Sequence, residues 1–262
     1  LQLAGAIELQ LNAPVQAETY LSKALQAAPG LPLARRLLVT TYLRTGQPAK
    51  ALATLTPGLS GDTVDPALYA VAGEVYLQNN DVKKAEEYFT KATQQDPQNA
   101  RNRTSLALTH LISGQVDSAF GELQDIAASD TGTTADMALI SAHLRRQDLD
   151  KALKAIDGLE KKQPDQPLAA NLRGRVLLAK RDVAGARQSF ERALQIDPLF
   201  FPAVASLAGL DLADKKPQDA KARFDAVLAK DPKNAQALLA QAELAARTGA
   251  STKPKPSCRV AS

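Results

Sequence analysis

Two histidines, one cysteine and a few glutamates are the material from which this 262-residue chain could build a reactive centre. A zinc site wants three or four close ligands, and neither His110 nor His143 has a second histidine or a cysteine at ligand spacing. Both stand where other stretches of the chain carry Tyr42 and Tyr76, so they read as substitutes for an aromatic packer. Cys258, the single thiol, has no partner within the chain for a disulfide or a thiolate metal site. Glu86 and Glu87 are adjacent carboxylates, a type that can divide acid and base work, but they fall on the polar face of a helical segment, where solvation is their role. The phosphate-cradling G-x-x-x-x-G-K-S/T, the nucleophile elbow G-x-S-x-G, H-E-x-x-H and C-x-x-C do not occur. The reading is therefore no enzyme, no cofactor and no metal site, and any chemistry of the chain is recognition.

Composition narrows what is recognised. The formal charge is +4, which invites a nucleic-acid reading, since basic stripes counter a phosphate backbone. Three of those charges, Lys253, Lys255 and Arg259, lie in the last fourteen residues, which contain no acid, so the main body is nearly neutral and no nucleic-acid partner is expected. No apolar run reaches the roughly 18 residues needed to span a bilayer; the apolar start is broken by Gln2, Glu8 and Gln10. The chain opens on Leu1 with a helical pattern under way, which reads as a piece of a longer protein. Apolar residues are 45% of the chain, aromatics 4%, and Trp is absent, so the core must be made chiefly of alanine and leucine, a composition that favours helix.

The elements that position everything else repeat. Ala17, Ala51, Ala85, Ala119, Ala152, Ala186 and Ala220 follow one another at steps of 34, 34, 34, 33, 34 and 34 residues, the short step reflecting one deletion near Gly132. Four residues after each stands Leu21, Leu55, Phe89, Leu123, Ile156, Phe190 or Phe224, and three further on Ala24, Gly58, Ala92, Ile126, Leu159, Ala193 or Val227. Spacings of four and three align these side chains on one helical face, which must be buried. This is helix B of each repeat. About a dozen residues upstream runs a second stripe, helix A, clearest as Tyr69, Ala72, Gly73 and Tyr76. Small residues such as Gly73 with Ala85, or Gly174 with Ala186, would let the two backbones approach while Tyr76 or Phe89 fills the space beside them. Asp81, Asp148 and Asp182 are placed to cap helix B, and Pro14, Pro48 and Pro217 to open it, while Pro29, Pro97, Pro164, Pro198 and Pro232 stop it.

With these residues the chain resembles the tetratricopeptide repeat (TPR) proteins, whose 34-residue unit is a helix-turn-helix. Residues 66–99 carry the family's pattern in full: Tyr69, Ala72, Gly73, Tyr76, Ala85, Phe89, Ala92 and Pro97. The resemblance implies an all-α fold, a right-handed superhelical solenoid of about seven repeats plus a final single helix, Asn234 to Arg247, over residues 1–249, with residues 250–262 a disordered basic tail. It departs from the pattern at Pro57 inside helix B of repeat two, at Thr63 and Thr131 in place of proline, where looser junctions are expected, and at Arg173, a nominal core position where Leu172 would take the buried place in a rotated helix.

The resemblance also implies a groove lined by the A helices that holds an extended peptide or a partner subunit. Its usual lining positions fall on Arg36, Thr40, Glu74, Arg101, Ser105, Asn171 and Arg175, a mixed set whose guanidinium groups could pair with acidic side chains of a protein partner. The lysine and asparagine clamp with which some TPR proteins grip a terminal carboxylate is missing, so a cochaperone role is not expected. More narrowly, Gly73 to Asn79 and Asn171 to Lys180 are similar in wording to the long TPR lipoprotein of bacterial PEP-CTERM/exosortase systems. That likeness implies a scaffold of the bacterial cell envelope or periplasm, in protein sorting or exopolysaccharide export; a cytoplasmic protein is the alternative. A spacer that binds nothing itself is the alternative to a binding scaffold.

Overall fold

Proline and one recurring turn cut the chain into helices. The structure, a computed structural model, describes residues 1–60 and 64–251. The described residues form fifteen α-helices, one short 3-10 turn and no strand. In chain order the A and B helices of successive repeats are α1 (Gln2–Gln10) with α2 (Pro14–Ala27), α3 (Pro32–Arg44) with α4 (Pro48–Leu55), α5 (Ala67–Gln78) with α6 (Val82–Gln95), and α7 (Ala100–Ile112) with α8 (Val116–Ser129). They continue as α9 (Thr134–Arg145) with α10 (Leu149–Lys162), α11 (Pro167–Ala179) with α12 (Val183–Ile196), α13 (Phe201–Ala213) with α14 (Pro217–Lys230), and a last helix α15 (Ala235–Ser251). The linkers 96–99 and 130–133 both have four residues while α9 has 12 residues against 13 for α7, so the deleted residue of repeat five comes off helix A.

The turn between the helices of each repeat is the same every time. Asn12, Gly46, Asn80, Gly114, Gln147, Arg181 and Lys215 all have positive φ, between 56° and 91°, and follow one another at the steps of the alanines. One left-handed residue reverses the chain between A and B, although only two of the seven are the glycine that this conformation favours. The N–H three residues after helix A then donates back to a carbonyl inside it, as Asp81 to Tyr76 (2.8 Å) and Asp182 to Leu177 (2.9 Å).

Punctuation follows the sequence with two corrections. Pro14, Pro48 and Pro217 begin α2, α4 and α14, where a missing N–H costs no hydrogen bond, and helix B stops two residues before Pro29, Pro97, Pro164, Pro198 and Pro232. Asp81 and Asp182 cap α6 and α12, accepting from the Lys84 and Gly185 N–H groups. Asp148 occupies the same place before α10 without a side-chain cap bond, because its carboxylate turns back to the Nε of Arg146, 3.3 Å away. Pro57 does shorten helix B of repeat two: α4 ends at Leu55 and Thr56–Gly58 is a 3-10 turn. Thr63 lies outside the described residues. The final helix runs past Gly249 to Ser251 rather than ending at Arg247, and the tail from 252 onward lies outside the described residues.

Two compact units result, Leu1–Leu139 and the remainder from Ile140. Each is built from the alanine stripe. Ala17, Ala51, Ala85, Ala119, Ala152, Ala186 and Ala220 are all fully buried, and the larger residue four places on is buried with each of them. In the first unit Leu21, Leu55, Leu68 and Val75 lie in one continuous core; in the second, Phe190, Ala193, Ala203 and Leu207 form one cluster and Phe224, Val227 and Leu244 another. The small residues of helix A do their work on the large ones of helix B. A Cβ on Gly73 would come within 2.6 Å of the Phe89 ring, and one on Gly174 within 2.5 Å of Phe190, so the glycines make room for rings rather than for the alanines. The same contact shows that α11 keeps the register of α5. Leu172 is buried as expected, but the helix is not rotated: Arg173 stays in place, about a quarter exposed, between the carboxylates of Asp157 and Glu160 on α10.

Candidate functional site

Five of the seven predicted lining residues lie in the first unit, on three successive A helices. Glu74 of α5 and Arg101 of α7 meet across the gap between their helices, Nη2 to Oε1 at 3.2 Å, so the two positions share one face. Arg101 is the more open of the two, with 76% of its side chain exposed. Such a pair holds by less than about 1 kcal/mol, because water and salt screen both charges, and a partner's carboxylate could compete for the guanidinium. Arg36 and Thr40 stand one turn apart on α3, half-buried, and Thr40 Oγ1 donates to the Arg36 carbonyl at 2.9 Å. Ser105 is half-buried on α7 and its carbonyl accepts from Thr109 Oγ1.

The other two lie on α11 in the second unit, and they separate. Arg175 is exposed, whereas Asn171 is buried to 4% with its Oδ1 enclosed and without a hydrogen-bond partner among the described residues. Asn171 therefore cannot offer its carboxamide to a surface partner as the sequence reading required. Thr104 occupies the same register position on α7 and repeats the pattern, 2% exposed with its Oγ1 unpartnered. Elsewhere the same position is half-buried, as Arg36 on α3, or exposed, as Ala205 on α13, so the neighbouring repeat decides whether it is covered.

A buried ion cluster centred on Asp211 is not legible in the sequence, because its charges are contributed by separate helices. Asp211 of α13 is 3% exposed and clamped by Arg187 of α12 (2.7 Å) and Arg223 of α14 (2.5 Å), with Arg187 also reaching Asp214 at 2.7 Å. Burial pushes the Asp211 carboxyl up, but the hydrogen bonds from Arg223 and Arg187 outweigh it and hold the group below the usual carboxylate range. In repeat two, Arg35 donates to the Thr54 and Pro29 carbonyls at 2.7 and 2.6 Å, capping the shortened α4 and the end of repeat one together. A Cβ on Gly58 would collide with the Arg35 stem at 2.4 Å, so this glycine keeps the guanidinium in reach.

The histidines are packers with polar edges. His143 is 3% exposed, and burial lowers its pKa against the pull of Asp148, whose Oδ2 is 3.7 Å from Nδ1. His110 lies between two carboxylates, Glu122 at 3.0 Å and Glu86 at 3.8 Å. Among the described residues no group of three or more His, Cys, Asp or Glu side chains is arranged to hold a metal ion, and no helix is long and apolar enough to cross a membrane.

Helical hairpins repeated every 33 or 34 residues, joined by one kind of turn and packed through a constant alanine, define a helical-repeat protein. The chain belongs to the tetratricopeptide repeat family, whose models match residues 8–74, 76–138, 137–199 and 177–244. Among solved structures it is similar to a TPR protein from Parabacteroides merdae (16% identity, TM-score 0.57), covering 92% of this chain and 95% of that one. It is also similar to the C-terminal part of a TPR repeat-containing protein from Cytophaga hutchinsonii (14% identity, TM-score 0.56, 92% and 99% covered). A third is pilF of Pseudomonas aeruginosa (16% identity, TM-score 0.56, 79% and 95% covered). No curated protein matches the sequence significantly.

Proposed function

We propose that the chain is a non-enzymatic scaffold that holds an extended segment of a protein partner against the A helices of its first unit, along α3, α5 and α7. The observation that carries this reading is the Glu74–Arg101 bridge, which brings polar groups of neighbouring A helices onto one exposed face at a spacing an extended peptide can follow. Arg36 extends that face toward α3, and Arg175 offers a second exposed guanidinium on α11. A partner with acidic side chains suits these arginines, since forked hydrogen bonds to carboxylates are the strongest such a surface can make. Immobilised wild type and the Arg101→Glu/Arg175→Glu variant are compared for capture from a native extract. The scaffold reading expects proteins retained by the wild type and lost by the variant; equal, empty captures would make the repeats a spacer.

The place of that scaffold in the bacterial envelope, in protein sorting or exopolysaccharide export, rests on the similarity of Gly73 to Asn79 and Asn171 to Lys180 to the envelope lipoprotein. Fractionation of the source cells tests it: recovery in the cytoplasm alone would remove the envelope from the proposal.

A further inference from the structure

In four repeats, the side chain of helix A that stands nine residues before the alanine meets helix B of the preceding repeat, helix B of its own repeat, or both. In repeat four this residue is His110. Its partners are Glu86, directly after the alanine of the preceding helix B, and Glu122, three residues after the alanine of its own helix B. In repeat seven the residue is Asp211, and the partners at the same two places are Arg187 and Arg223. The geometry is shared and the charges are inverted. Two further junctions show one of the two contacts each. Tyr42 donates from its hydroxyl to Glu18, the residue directly after Ala17, at 3.2 Å. Tyr76 stacks on Tyr88, three residues after Ala85, with ring centroids 5.3 Å apart and planes 5° from parallel.

We propose that this trio is a charge-matched latch that fixes how helix A seats between the two neighbouring B helices. The partner directly after the alanine belongs to the preceding repeat, so the helix A residue tests its neighbour's charge, and the second partner fixes its own helix B in the same act. At Asp211 the test is stringent, because the carboxylate is buried and any arrangement that set a like charge against it would leave that charge uncompensated in low dielectric. At His110, whose side chain is 15% exposed, the two glutamates require a residue that can donate or carry positive charge. The alanine stripe is nearly identical from repeat to repeat and carries no charge, so it cannot supply this discrimination. Rejection of wrong neighbours by mismatched charge is how repeated elements of similar shape are kept in register.

The test exchanges the centres while conserving composition and formal charge. His110→Asp combined with Asp211→His sets an acid between Glu86 and Glu122 and an imidazole between two arginines. Adding Glu86→Arg, Glu122→Arg, Arg187→Glu and Arg223→Glu transfers each complete set to the other junction. Amide hydrogen exchange of the full chain is followed in α7 and α13. The expected result is a loss of protection of about tenfold in both helices for the two-site exchange, the scale of coupling between contacting residues, and recovery to within about twofold of wild type for the six-site exchange. Should the two-site variant fail to fold, the six-site variant is judged directly: wild-type protection supports the device, and failure to fold overturns it. Wild-type protection in the two-site exchange, or equal lability of both variants, would reduce the trio to ordinary packing.

Discussion

Single atoms decide how close the helices come. Gly73 has no side chain because the Phe89 ring occupies the place where a Cβ would stand. Gly73→Ala should therefore destabilise by about 1–3 kcal/mol, the cost of overpacking a filled core. Phe89→Ala, which empties a site 1% exposed, should cost about 3–5 kcal/mol. Lys91→Ala, two residues on, removes only an exposed bridge to Glu87 and a contact with the Tyr88 ring, and should cost less than about 1 kcal/mol. Urea midpoints of the three variants give the order directly. The buried histidine adds a dependence on pH. Since burial holds the His143 pKa below its unfolded value, the unfolded chain takes up the proton first, so stability from this site is complete above about pH 6.5 and falls as pH drops toward the lowered folded value. Replacing His143 by Phe should flatten the difference in urea midpoint between pH 7.5 and pH 5.5, with His110 present in both proteins as the control; an unchanged slope would refute the assignment.

At the scale of the element, the left-handed turn is the feature most open to improvement. Arg181 and Lys215 adopt φ of 65° and 61°, a conformation costing a residue with a Cβ roughly 1–2 kcal/mol. Glycine escapes that cost but loses about 0.5–1 kcal/mol of chain entropy on folding. Arg181→Gly and Lys215→Gly should each stabilise by about 0.5–1 kcal/mol, read as a rise in melting temperature, and a fall in either would show that the side chain contributes packing there. These turns also show what the sequence could reveal. The alanines, their partners four and seven residues on, and the helix-stopping prolines were legible because each is a local pattern of fixed chemistry. The turn position was not, because Asn, Gly, Gln, Arg and Lys share no chemistry beyond the conformation imposed by the two helices they join. Asn171 was misassigned for a related reason: whether a position beside the next A helix is covered depends on the neighbouring repeat, and the register alone does not carry that information. Arg35 and Asp211 depend on partners 19 and 24 residues away in Thr54 and Arg187, on other helices.

For the molecule as a whole, stability is a sum over neighbouring helices, and the first unit has its own core, as does the part from Ile140. A defect should stay near its origin. Phe89→Ala is expected to raise hydrogen exchange in α5, α6 and α7 while α12, α13 and α14 exchange as in the wild type; uniform loss of protection along the chain would mean that the repeats unfold as one. The aromatic residues provide an optical means of following this. All five tyrosines, Tyr20, Tyr42, Tyr69, Tyr76 and Tyr88, precede Ile140, tryptophan is absent, and four of the six phenylalanines follow it. The stacked Tyr76 and Tyr88 rings give repeat three a chiral chromophore of its own. Tyrosine emission and near-ultraviolet dichroism around 280 nm, the tyrosine band, thus report the first half of the array alone, while far-ultraviolet dichroism reports every helix. Recording both in one titration separates the melting of the two halves without a label, a fusion or a truncation.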